Sequence, residues 1–246
     1  MSTAPTRYRP LAADELVFGL VYGAGAETET FRRLLREHLR GYGYRLRTVH
    51  LSNYFSHLLD EGEFQREVPD ATRRLQDMGD TIRHRTGLND AAARLAVFLI
   101  ASKRAREGET NGRVAWLVRS LKRKEEVATL RRLYGPRFIL LALHVPESLR
   151  RHNLENRWER WANVTSQRFD GEAMTDIRRD EMDRGVAHGQ AVRDTFSLAD
   201  FFIDGRSEAS LAEVVPRTVR LIFGEPFVPP YREEQAHVSR FYRGTP

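Results

Sequence analysis

Residues 16–21 (LVFGLV), 22–29 (Tyr22-Gly23-Ala24-Gly25-Ala26-Glu27-Thr28-Glu29) and 28–40 (TETFRRLLREHLR) decide the fold. The first stretch is a continuous apolar run of strand length. The last repeats its apolar side chains with helical spacing, and small residues join the two. Strand, glycine-rich turn and helix form the layout in which backbone N–H groups and a helix N-terminus hold an anion. A complete phosphate loop also requires GxxxxGK[ST], whose lysine reaches the outer phosphates. Neither register of 22–29 supplies one. Thr28 takes the lysine's place and Glu29 that of the Mg²⁺-binding hydroxyl in one register; Glu27 and Thr28 do so in the other. A carboxylate at either position opposes a triphosphate.

Outward from this stretch, apolar strand-like segments recur at 44–51 (YRLRTVHL), 113–118 (RVAWLV), 137–145 (RFILLALHV) and 199–203 (ADFFI). Helical patterns lie between them. Residues 90–106 carry an alanine-leucine face behind Asn89 or Asp90 as N-cap, and 124–134 stop at Gly135-Pro136. Alternating strands and helices predict a parallel sheet covered on both faces, with ligands at its carboxyl edge, where the 22–29 loop lies. The stretch 147–195 is polar and rich in Arg and Trp, and is expected to form a helical lid over that edge. From Pro226 a proline-punctuated tail leaves the domain.

The chain has 246 residues, enough for a large core, and 40 basic against 34 acidic residues give a formal charge of +6. The charges are interspersed, so an anionic ligand fits the balance while no motif points to DNA. The absence of cysteine excludes disulfides and fits a reducing compartment. No apolar signal region or membrane-length apolar run is present, and the expected location is cytoplasmic.

Several segments together carry a family resemblance. They are Glu15–Val21, Met78-Gly79-Asp80-Thr81-Ile82-Arg83, Ser120-Leu121-Lys122 with Glu125-Glu126-Val127, and Leu133-Tyr134-Gly135. Arg179-Asp180-Glu181, Gly189-Gln190-Ala191-Val192-Arg193-Asp194-Thr195-Phe196 and Ala199-Asp200-Phe201-Phe202 complete the set. Over roughly residues 14–232 the chain resembles the N-terminal P-loop kinase-like domain of bacterial anti-phage deoxycytidylate deaminases, which deplete dCTP and dCMP during infection. In that family a zinc deaminase follows the PF-x-PP-like segment, here Pro226-Phe227-Val228-Pro229-Pro230, and the resemblance fades there. Zinc deaminases need His-x-Glu and Pro-Cys-x-x-Cys, and neither occurs here, so this chain supplies no zinc site. The resemblance implies an N-terminal module, either truncated or acting with a deaminase in trans. It also implies homo-oligomer assembly and regulation through an RNA partner.

The expected fold is therefore α/β: a three-layer parallel sheet of P-loop nucleoside/nucleotide kinase type with a helical lid. The expected organisation is an N-terminal extension (1–13), a kinase-like domain (14–228, lid about 147–195), and a tail or the start of a deaminase domain (229–246). Gly23, Gly25 and Thr28 either contact phosphate or form a tight turn with Thr28 as N-cap. Arg119 stands where active P-loop kinases place a Mg²⁺-holding acid, and either meets a phosphate or is simply exposed at the strand's end. Arg150, Arg151, Arg157, Arg160, Arg168, Arg178, Arg179 and Arg193 crowd the lid. Arg179 and Arg193 are the phosphate candidates because they fall in the segments that carry the resemblance. Asp180, Glu181 and Asp194 orient these arginines, bind a metal or form ordinary salt bridges. Asp80 and Arg83 lie where nucleotide kinases meet the acceptor nucleotide. Trp116 reads as core, Trp158 and Trp161 as one face of a lid helix, and Lys122-Arg123-Lys124 as a solvated turn. No catalytic residue and no metal ligand is assigned. The expected ligand is a nucleotide, with Mg²⁺ as its natural companion. The leading functional expectation is a nucleotide-binding regulatory or sensor domain of an anti-phage deoxycytidylate deaminase system, without efficient phosphotransfer. The alternatives are an unorthodox (deoxy)nucleoside or nucleotide kinase and a ligand-free oligomerisation scaffold.

Overall fold

Five parallel strands form one sheet in the order β2-β3-β1-β4-β5: β1 (Glu15–Tyr22), β2 (Tyr44–Val49), β3 (Arg113–Arg119), β4 (Phe138–His144) and β5 (Phe201–Asp204). The helices are α1 (Glu29–Gly41), α2 (Ala71–Thr86), α3 (Ala91–Glu107), α4 (Lys124–Tyr134), α5 (Glu147–Thr165), α6 (Glu172–Met182), α7 (Val192–Phe196) and α8 (Glu208–Ile222). The structure, a computed structural model, describes residues 15–49, 51, 54, 71–107, 113–165, 172–182 and 191–225. The extension 1–13, the tail 229–246 and Arg168 lie outside these residues, as do the side chains of Trp158, Arg160, Trp161 and Glu181.

β1 is central because it is apolar on both sides. Val17 and Val21 face one layer, Phe18 and Leu20 the other, and all four are buried. β3 and β4 flank it in register, with Val17 opposite both Trp116 and Phe138. On one face, α1 buries Phe31, Leu34, Leu35 and Leu39 beside Leu211, Val215 and Val219 of α8. On the other, α2, α3 and α4 cover Val114, Trp116, Val118 and Leu140. Trp116 is core, and its indole Nε1 donates to Glu15 Oε1 at 3.2 Å.

Local chemistry sets the boundaries of these elements. Glu126 ends the approach to α4 by accepting from the amides of Lys122 (2.7 Å) and Arg123 (3.2 Å), which satisfies donors the helix leaves free. The last segment begins its ladder at Phe201 rather than at residue 199. Asp200 donates its amide to the Leu140 carbonyl, and its carboxylate accepts from the Leu140 amide at 2.7 Å and from Arg131. The carboxyl ends of β1, β3, β4 and β5 open on one edge, where parallel α/β sheets bind their ligands.

Candidate functional site

The loop after β1 is a tight turn held from two sides. The Ala26 amide donates to the Gly23 carbonyl at 3.1 Å, and Gly25 adopts φ +82°, a conformation open to glycine. The first turns of α5 press directly on it. Buried Arg150 donates to the Ala24 carbonyl at 3.3 Å, and Asn153 donates to the Gly25 carbonyl at 3.0 Å. A Cβ on Gly23 would meet the Arg150 guanidinium at 2.6 Å, so both glycines serve close approach of α5. Thr28 precedes α1 without capping it through its side chain.

The inward-facing loop amide already holds an anion, and that anion belongs to the protein. The Ala24 amide donates to Asp180 Oδ2 at 2.7 Å, and Asp180, on α6, is fully buried. Lys122 Nζ donates to both carboxylate oxygens, at 2.8 and 2.9 Å, and to the Tyr22 carbonyl at 3.1 Å. It also lies 5.4 Å from the centre of the Tyr22 ring. Gln76 of α2 reaches Asp180 Oδ1 at 3.4 Å. Lys122, expected in a solvated turn, is thus drawn under the loop.

At the end of β3, Arg119 Nη2 donates to Thr28 Oγ1 at 2.7 Å and to the Tyr22 hydroxyl at 3.4 Å. Ser120 follows with φ +63°, and its hydroxyl shares a 2.6 Å hydrogen bond with that of Tyr22. Arg32 of α1 stands close enough that burial first, and then the Arg119 charge, hold its guanidinium below the ordinary arginine range. A P-loop kinase holds magnesium with a hydroxyl and an acid. Here the hydroxyl accepts from a guanidinium, and a second guanidinium stands nearby. These residues do not fit a magnesium ion at this position.

On the opposite side of the loop, a cleft of about 610 Å³ opens between β4, α5, α7 and β5. Gly23, Glu147, Arg150 and Arg193 line it, together with Phe196 and Phe202. The two phenylalanine rings lie 5.7 Å apart, and His144 meets Phe196 edge-on at 6.3 Å. Arg193 is exposed in this cleft, away from Arg119.

The remaining candidates form an ionic layer between α2 and α6. Arg179 donates to Asp77 and to Asp80 (2.7 Å to the latter). Burial alone would lower its pKa, but the two carboxylates outweigh that and raise it. Asp80 also accepts from Arg83, which is buried and lies 3.6 Å from Glu126. The structure therefore gathers Gly23, Gly25, Thr28 and Arg119 at the loop. Arg193 lies in the cleft, and Asp80, Arg83 and Arg179 lie in the layer beneath α6. Sequence reasoning overlooked Arg150 and Lys122 as loop partners. The resemblance marked the Ser-Leu-Lys segment, and that was the one available signal for Lys122.

Among the described residues, no group of three or more His, Cys, Asp or Glu is placed to hold a metal ion. Nor is any helix there long and apolar enough to cross a membrane. Strand order, the central strand running into a glycine turn and helix, and helices over the carboxyl edge define a layered α/β domain on a five-stranded parallel sheet. No family model and no curated protein matches the chain. Among solved structures, a gluconokinase from Sinorhizobium meliloti 1021 is 12% identical over 85% of this chain and 94% of its own, with a TM-score of 0.39. A shikimate kinase from Bacteroides thetaiotaomicron is 10% identical over 85% and 98%, with a TM-score of 0.41. A protein of the PezAT chromosomal toxin-antitoxin system of Streptococcus pneumoniae is 10% identical over 97% and 88%, with a TM-score of 0.43. At this level each likeness concerns the course of the chain alone.

Proposed function

We propose that this chain is a nucleotide-binding regulatory domain that senses a nucleotide without transferring phosphate efficiently. On this reading it controls a deoxycytidylate deaminase, supplied by a further domain or a separate subunit, in cytoplasmic defence against phage. Homo-oligomer assembly and an RNA regulator belong to the same reading. The observation that carries it is the cleft that opens directly off the glycine loop. Two aromatic rings offer a surface for a base, and exposed Arg193 offers a fork for phosphate oxygens. Gly23 and Gly25 shape the phosphate end; on the loop's other side Thr28 and Arg119 hydrogen-bond each other, and Arg119 takes the place of a metal-holding acid. Without that acid, a triphosphate has charge compensation but no organised transfer centre. Asp80 and Arg83 of α2 and Arg179 of α6 tie those two helices together, and on this reading they brace the helix that carries Asp180.

Calorimetric titration with ATP, dCTP, dCMP and dTTP, with and without magnesium, tests this. We expect saturable binding that survives magnesium removal. Arg193→Ala should weaken it about tenfold, the order expected for loss of one charge-assisted contact. Rapid phosphate transfer from ATP to a deoxynucleotide would sink the sensor reading in favour of an unorthodox kinase. The observation favouring that second reading is Lys122, which brings an ammonium to the loop from the segment that follows β3. Indifference to every nucleotide, with assembly intact, would leave the scaffold reading.

A further inference from the structure

The contacts of Asp180 have the chemistry of a bound phosphate. Its two oxygens take one backbone amide from the glycine loop and an ammonium that contacts both of them, with the carboxylate itself buried and the lysine partly so. A loop amide plus a lysine is the pair with which phosphate loops hold a phosphoryl group. Here the lysine comes from residue 122, just past the carboxyl end of the neighbouring strand β3, instead of from the loop itself. The surroundings are incompletely satisfied. Gln76 is buried, and its Oε1 has no hydrogen-bond partner among the described residues, although its Nε2 points at Asp180 and at the Asp176 carbonyl.

We propose that Lys122 is the phosphate-binding cation of this loop and that Asp180 is a built-in stand-in for the ligand's phosphate. A phosphoryl group of a nucleotide or other polyphosphate enters by taking the Ala24 amide and the Lys122 ammonium from Asp180. Exchange at that point also removes a tie between α6 and the loop, because Asp180 is the α6 residue that grips both Ala24 and Lys122. The site therefore binds in competition with its own lid helix. Its apparent affinity is the intrinsic one reduced by the fraction of molecules in which the cradle is open. This rests on the nucleotide-site reading above and adds to it the cation, the competitor and the mode of entry.

The test is titration of the full chain with inorganic triphosphate and with ATP, in wild type and four variants. Asp180→Asn keeps the side-chain shape and removes the competing charge. It should bind triphosphate about tenfold more tightly or better, as expected if the cradle is open in one molecule in ten or fewer. Lys122→Met should abolish binding, and Lys122→Arg should keep a measurable part of it. Ile177→Ala, which thins the small apolar contact that Ala173 and Ile177 of α6 make with Leu154 of α5 without touching the cradle, controls for general loosening. A thermal midpoint for each variant establishes that it folds. Unchanged or weaker binding in Asp180→Asn overturns the proposal, as does equal tightening in Ile177→Ala. If wild type binds ATP and Asp180→Asn changes nothing, the nucleotide site stands and the stand-in falls. Binding that appears only in Asp180→Asn supports the stand-in and sinks the sensor reading for the native chain. If no variant binds either probe, both fall.

Discussion

Arg83→Met is expected to destabilise the protein by about 3–5 kcal/mol at neutral pH, the range for removing one partner of a buried ion pair. The Arg83 side chain is 3% exposed, and Glu126, 3.6 Å away, is 0% exposed. Burial pushes the Glu126 carboxyl up; Arg83, the amides of Lys122 and Arg123, and then the Arg123 charge pull it back without cancelling the effect. In wild type the folded state therefore holds the Glu126 proton more tightly than the unfolded chain does. Between the ordinary glutamate value of about 4.3 and the raised folded value, the native state binds more protons, and this group's contribution to stability falls as pH rises. Losing Arg83 raises the folded value further and extends that window upward. The Arg83→Met deficit, measured by urea unfolding, should therefore be smaller at pH 5 than at pH 7.5. Adding Glu126→Gln should recover much of it. A variant with unchanged stability but impaired nucleotide binding would return Arg83 to the acceptor-contact role that its position in the sequence suggests.

Gly25→Val should cost about 3 kcal/mol or more, from two sources. A left-handed conformation costs a β-branched residue roughly 1–2 kcal/mol, and forced overpacking adds about 1–3 kcal/mol. Gly25 has φ +82°, and an added Cβ would lie 2.3 Å from the Arg150 carbonyl oxygen, a backbone atom that cannot swing away. Gly87 supplies the comparison. It has φ +65°, but an added Cβ there meets nothing within 4 Å, so Gly87→Val carries the conformational cost alone. The difference in unfolding free energy between the two variants isolates the contact of α5 with the loop. Equal losses would mean that α5 can retreat from the loop without penalty, which the buried Arg150 hydrogen bonds oppose.

Much of the fold was legible because its signals are local. A strand buried on both faces must be continuously apolar, as Leu16–Val21 is, and the stripe Phe31, Leu34, Leu35 and Leu39 can be gathered only by a helix. Gly25 and the Gly135-Pro136 pair mark turns through backbone sterics that need no distant partner. The site was legible only in outline. Thr28 and Arg119 each stood out in the sequence as candidates for phosphate contact, but not that one hydrogen-bonds the other across 91 residues. Arg179 and Asp80 were expected near ligand; they hold each other across 99 residues.

The sequence by itself determined the layered parallel architecture, the position of the glycine turn at the sheet edge and the absence of a loop lysine. Apolar periodicity and backbone sterics act within a few residues and depend little on what packs beyond them. Only the tertiary structure decided what occupies that turn. Asp180 reaches the Ala24 amide across 156 residues and Lys122 across 58. A carboxylate or an ammonium looks the same in sequence whether solvated or buried. Which charge it meets follows from the order in which strands and helices are laid side by side, and that order is set by the burial of the whole core.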